Sequence, residues 1–599
     1  MNSRLFRLAI KIYGCAWLLA GAGAVANAQA ADRNIDRFFD AYADEWVQAD
    51  PGLAVALRYF SGATQDALDR QLTPQTQAYR GARVRLAKQG LRKLATFDRR
   101  SMSDTQRVSA ELMQWQLQRT VLAEPYLDYH FPLDQFRGVN VALVEALTLR
   151  HPLSAPRDAE NYVARLGQVR LRMGEAVREA RRLAAKKRLP PRFIIDATLD
   201  SMRKFVAMTP SDNPLAASFD TRMQSIAGLD AAQRHKLRDQ AVVLVESEVY
   251  PIWREAIAML ESLRTRATDE AGLWRFPDGE AAYTEALRRF TTTDMTPEEI
   301  HGEGLRLVAS IESRMDELLR SLGRAEGPVQ ERMEQLRADL GYPAPASDES
   351  RARIMLDVNG YLKDALERSA KLFDRLPKAS VVAQPFPRFR EAGAAANYNA
   401  APLDNSRPAV FQFPLRPQNM TQLGLRTLVY HETVPGHHFQ IALEQENAAL
   451  PKFRRARAFG GISAYSEGWA LYAEELAAES GWYDGDPQGL LGQLDDALFR
   501  ARRLVVDTGL HAKRWTRQQA IDFGIEASEV ERYVVNPGQA CSYMIGKLKI
   551  LELRKRAQQA LGEKFSLRRF HAAVLGVGSA PLEILDREID RFITSERAS

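Results

Sequence analysis

Three of the chain's nine histidines fall within eight residues, in the stretch His431-Glu432-Thr433-Val434-Pro435-Gly436-His437-His438. Imidazoles beside a carboxylate are the ligand and base set of a zinc hydrolase, whose usual pattern is His-Glu-x-x-His on one helix. Here the fourth position after His431 is Pro435, so the unbroken pattern is absent. Proline removes a helical hydrogen bond and clashes with the preceding turn, which predicts a break at Pro435-Gly436. Such a break can return His437 to the side that carries His431. On a continuous helix His438 would share the face of His431 but lie about 10 Å along the axis. That is too far for two ligands whose bonds to one zinc ion are near ~2 Å, so His437 is the expected ligand and His438 its neighbour.

A zinc site needs a third protein ligand. Downstream, Glu467, Leu471 and Glu474 recur at helical spacing and share one face. Glu467 is the expected third ligand, and Glu474, two turns on, is placed to hydrogen-bond a ligand imidazole from behind.

At these residues the chain resembles the bacterial "domain of unknown function 885" family. That group carries His-Glu-x-x-Pro-Gly-His-x-x-Gln, then Glu-Gly-Trp-Ala-x-Tyr-x-Glu, then Pro-Gly-Gln-x-x-x-Tyr-x-x-Gly. The counterparts here run from His431 to Gln440, from Glu467 to Glu474 and from Pro537 through Tyr543 to Gly546. The resemblance extends over most of the chain, including Pro277 to Glu280 with Tyr283. It implies a zinc peptidase of mainly helical, zincin-like build, with one Zn2+ on His431, His437 and Glu467 and with Glu432 as general base. It implies no particular substrate.

The elements that must position these groups read as long amphipathic helices. Thr296-Pro297-Glu298-Glu299 is a helix start, with an N-cap Thr, Pro at the first helical position and Glu closing a capping box. Ile300, Gly304, Leu307, Ile311, Met315, Leu318 and Leu322 then recur every three or four residues up to Gly323. Thr516 with Gln519 repeats the capping pattern. The strand signal is confined to Val410–Phe413, between Pro408 and Pro414. It is either an edge strand able to pair with an extended peptide or a short buried connector. The expectation is a mainly α fold of two lobes around a deep cleft with a small β element. It comprises one domain over residues 31–599, with the catalytic region at about 390–560.

Residues 1–30 read as a signal peptide: Arg4, Arg7 and Lys11 precede an apolar stretch, and Ala26 to Ala30 offers small-residue cleavage sites. Cys15 follows Ile12-Tyr13-Gly14, a poor match for an acylation box, so export to a periplasm or medium is expected, with no membrane span. Removing that segment lowers the formal charge from +6 to +3, a balance that does not suggest nucleic acid. Only Cys541 then remains, so no intrachain disulfide can form and the core must supply stability.

Cleaving an amide also needs a donor facing the oxyanion. Tyr543 and His511 are the candidates, Tyr543 favoured by the family pattern and His511 equally readable as a satisfied core histidine. His438, Gln440 and Tyr398 are expected around the cleft, and Arg554 either holds a substrate carboxylate or makes a structural ion pair. The function expected is exported zinc-dependent cleavage of short peptides. A zinc amidase acting on non-peptide or peptidoglycan-derived amides uses the same site and differs only in substrate profile. A non-catalytic metal or peptide binder would need no Glu432 and would tolerate Glu432→Gln.

Overall fold

The protein is seen in a computed structural model that describes residues 34–342, 347–386, 391, 396–401, 403, 408–416 and 420–598. The expected signal peptide lies outside the described residues. The chain is 70% helical with one small three-stranded sheet, a mainly α fold. Among the described residues no helix is long and apolar enough to cross a membrane.

Local chemistry sets the helix starts. Thr296 caps helix α2 (Pro297–Ser321), with its hydroxyl accepting from Glu299 N and Glu299 reaching back to Thr296 N. Its buried residues are Ile300, His301, Gly304, Ile311, Met315 and Leu319, while Leu307, Leu318 and Leu322 are only partly buried. Gly304 is needed for close approach: a Cβ there would meet Val505 Cγ2 at 2.7 Å and Leu504 Cβ at 2.8 Å on helix α6 (Pro487–Ala512). The Thr516–Gln519 capping box also forms.

Buried side chains gather in separate cores. One, with Leu72, is drawn from Leu133 to Ala267 and centres on a parallel stack of Tyr162 on Phe219 at 4.1 Å. A larger one joins the first described helix (Ile35–Gln48) to the C-terminal helices, with Phe39 against Phe453 and Tyr42 against Phe459. The helices of the candidate site belong to this second core. They are α3 (Gln422–Glu432), α4 (His437–Glu446), α5 (Ser463–Glu479), α6 and α7 (Ser542–Leu561), with α1 (Gly279–Thr291) and α2 packed against α6.

The sheet precedes α3. Strand β3 (Ala409–Phe413) pairs in parallel with β1 (Val381–Pro385) and antiparallel with β2 (Asn397–Asn399). It is therefore the central strand, paired on both sides, which excludes the edge-strand alternative and leaves the buried connector. Ala409, Phe411 and Phe413 point into the core in alternation. The strands on either side escaped notice in the sequence because β1 ends in proline and β2 has three residues.

Candidate metal centre

Helix α3 ends at Glu432, a turn runs through Thr433 to Gly436, and α4 starts at His437. The turn is tied down by main-chain bonds from Thr433 N to Val429 O (2.9 Å) and Gly436 N to Tyr430 O (3.0 Å). Trp469 on α5 adds a third, its indole N–H donating to Pro435 O at 2.9 Å. A Cβ at Gly436 would lie 2.0 Å from His431 O and 2.4 Å from Tyr430 O, so this close turn admits only glycine. The result is that the His431 and His437 rings stand edge to face, with centroids 4.8 Å apart.

Glu467 comes from α5. His437 Nε2 lies 3.3 Å from Glu467 Oε2, and His431 Nε2 lies 3.7 Å from the same oxygen. Ligands at tetrahedral angles around zinc, with bonds of about 2.0–2.2 Å, stand roughly 3.4 Å apart. One ligand atom from each of the three residues lies within 4.8 Å of the others. Even at that outer limit a point within roughly 2.4 Å of all three exists, close to bonding distance. Glu467 Oε2 is buried without a hydrogen bond, a cost that a cation removes. Two imidazoles and a carboxylate so gathered are a donor set that fits a divalent ion.

His431 is 4% exposed, and its Nδ1 lies 2.7 Å from Glu474 Oε1. A carboxylate accepting at Nδ1 fixes a proton there and leaves Nε2 as the nitrogen that faces Glu467. Burial opposes a charge on His431, but the facing carboxylates of Glu467 and Glu474, with the charge of Glu432, push it up to about 10. Burial likewise opposes the Glu467 anion, but the His437 and His431 imidazoles that face it hold it well below the carboxylate range. Glu432, at the end of α3, is itself buried.

Tyr543 is brought alongside by a close helix crossing. A Cβ on Gly468 would meet Gly546 C at 2.4 Å, and one on Gly546 would meet Ala464 O at 1.9 Å, so α5 and α7 touch backbone to backbone. Tyr543, one turn before Gly546, then stacks near His431 with centroids 6.5 Å apart. The loop leading into α7 is anchored by Asp507, which accepts from Gly538 N at 3.0 and 3.1 Å and from Tyr283 Oη at 2.6 Å. Burial raises Asp507 to about 7 in spite of these donors.

Other expected residues take different positions. His511 is wholly buried; its Nε2 pairs with Tyr533 O at 3.0 Å and its Nδ1 with Leu273 N at 3.1 Å. Both nitrogens serve the main chain, so it is a core histidine with nothing left to face an oxyanion. Arg554 pairs with Glu479 and with Tyr472 Oη (3.3 Å) at the far end of α5, a structural ion pair. Gln440 joins Glu444 and Arg457 in a polar cluster that holds Ser579 N. His438 Nδ1 lies 3.1 Å from Tyr398 Oη, which ties α4 to β2, and burial lowers its pKa to about 4.

The sequence reading missed a polar stripe on α6 whose two arginines are buried. Asp496, Arg500 and Arg503 stand four and three residues apart, on one face. Arg503 donates to Tyr533 Oη and Glu529 (both 3.0 Å), and its guanidinium lies 4.5 Å from the Tyr543 ring centroid. The spacing was visible, but charged residues on a helix read first as a solvated face.

Residues 52–589 match the family model described as "Bacterial protein of unknown function (DUF885)". No curated protein matches the chain. Among solved structures, one described as "the putative lipoprotein from Colwellia psychrerythraea" is 30% identical, with a TM-score of 0.85, covering 93% of this chain and 99% of that one. Another, "a putative lipoprotein of unknown function from Shewanella oneidensis", is 17% identical with a TM-score of 0.68, covering 92% and 99%, and shares the fold.

Proposed function

The chain belongs to the DUF885 family of bacterial proteins, and from that premise and the site we propose that it is an exported zinc-dependent peptidase acting on short peptides. The observation that carries the reading is the convergence of His431, His437 and Glu467 on one point, beside a buried glutamate adjacent in sequence to the first of them. A bound zinc ion would supply Lewis-acid polarisation of the scissile carbonyl and make water easier to deprotonate.

Glu432 acts as general base, taking the proton of the attacking water and passing it to the leaving amine. Glu474 holds His431 in the tautomer that offers Nε2. Tyr543 donates to the oxyanion as it develops, a contribution worth about 3 kcal/mol for one preorganised donor. The burial of His431 and Glu432 favours short, flexible chains over folded proteins as substrates. Location in the cell envelope agrees with the leader-like residues 1–30 and with the lipoprotein descriptions of the two solved relatives.

The test is metal analysis of the purified mature protein together with a peptide-library digest of wild type and Glu432→Gln. Stoichiometric zinc with turnover lost in Glu432→Gln while the metal is retained is the expected result. An active metal-free enzyme, or a variant that cleaves as well as wild type, rejects it.

A further inference from the structure

Behind His431, away from the point shared with Glu467, the Glu474 carboxylate is buried at 1% exposure. Its Oε1 accepts from His431 Nδ1 and also faces Arg500 Nη2 at 3.9 Å. Arg500 is held in turn from its own helix: Nη1 donates to Asp496 O at 3.2 Å and pairs with the Asp496 carboxylate one turn back. Its guanidinium lies 5.5 Å from the Phe499 ring centroid, and Nε is buried without a partner. A buried cation so placed is costly unless something is gained from it, and truncating one partner leaves the other charge uncompensated.

A carboxylate on a three-carbon side chain can present either oxygen, at many rotations, to an imidazole. What selects one orientation is a second group fixed against the same oxygen, and Arg500 is the cation that faces Glu474 Oε1. Its Nη1 pairs with the Asp496 carboxylate while Nη2 stands 3.9 Å from Glu474 Oε1, a charge contact at a fixed angle that a point-charge amine does not reproduce.

We infer that Arg500 is a positioning residue for the metal centre: anchored by Asp496, it locks the Glu474 carboxylate against His431 Nδ1 and so keeps His431 Nε2 aimed at the ion. This deepens the zinc-peptidase reading and rests on it. Arg500 touches neither ion nor substrate; it acts through Glu474. Outer-sphere partners of metal-bound histidines are commonly worth about 10–100-fold in metal affinity, and one position further out the lower figure, about tenfold, is expected.

The experiment is a zinc titration against a chelating dye with the full mature protein, in a double-mutant cycle. Arg500→Gln and Arg500→Lys are each measured in the wild-type background and in Glu474→Gln. The inference expects roughly tenfold weaker zinc binding for Arg500→Gln, a smaller loss for Arg500→Lys, and almost no further loss from either once Glu474 is already Gln. Equal losses in both backgrounds, the behaviour of a merely structural arginine, overturn it. So does unchanged affinity. If Arg500→Gln does not fold, the Arg500→Lys pair gives the same reading. Wild-type protein that takes up no zinc overturns the parent reading first, so the two failures are separable.

Discussion

Replacing Gly468 by alanine tests the helix crossing without touching a candidate ligand. The new Cβ would lie 2.4 Å from Gly546 C, 2.5 Å from Gly546 Cα and 2.8 Å from Lys547 N. Ordinary carbon contacts are about 3.5–4.0 Å, so two buried helices must part by roughly 1 Å. All three obstacles are backbone, and no flexible side chain can yield instead. Overpacking of this kind costs about 1–3 kcal/mol, here at the upper end. Against it stands a gain of about 1 kcal/mol from replacing a helical glycine. The net expectation is a loss of about 2 kcal/mol. Gly302 supplies the control, since it is exposed on α2 and a Cβ there meets nothing within 4 Å. Gly302→Ala should therefore gain the full ~1 kcal/mol. Denaturant unfolding followed by tryptophan fluorescence reads both, with a difference near 3 kcal/mol between the variants. Because the crossing sets Tyr543 beside His431, the same shift should slow peptide turnover by about 100-fold. A Gly468→Ala protein as stable as wild type, beside a Gly302→Ala protein that gains as stated, would refute the reasoning.

Tyr543→Phe should lower kcat by about 100-fold or more with KM little changed, read from steady-state kinetics on a cleaved peptide. In the ion-free protein His431 has its folded pKa raised to about 10. Its stabilising contribution is therefore full below about 6.5 and fades as pH rises through 10. Zinc must displace that proton, so zinc affinity should rise with pH between 6 and 9 and uptake should release a proton, both measurable by calorimetry in buffers of different ionisation heat. Thr296→Ala removes the α2 cap and should cost about 1 kcal/mol in thermal or denaturant unfolding with turnover unchanged. His511→Ala should lower stability through its two lost main-chain partners, and turnover per folded molecule should stay within severalfold of wild type.

What the sequence disclosed follows from how local each signal is. The α2 start was readable because cap, proline and glutamate lie within four residues. His431, His437 and Glu467 were readable because the spacing of His-Glu and Pro-Gly-His leaves few ways to bring two imidazoles together. His511 was ambiguous because its partners, Leu273 N and Tyr533 O, stand 238 and 22 residues away. The Arg500–Glu474 contact was invisible for the same reason: whether a helical charge meets water or a buried Glu474 is decided by α5, not by α6. The place of β3 in the middle of its sheet depended on strands too short to show alternation.

The interruption between α3 and α4 has an electrostatic consequence. Aligned peptide dipoles leave about half a negative charge at a helix's last carbonyls and half a positive charge at its first amides. An unbroken helix would have kept both poles far from the imidazoles. Cutting it at residues 433–436 delivers the electronegative end of one segment beside His431 and the electropositive end of the next beside His437. The centre is thereby polarised by its own backbone, with one flank that attracts a cation and one that welcomes developing negative charge.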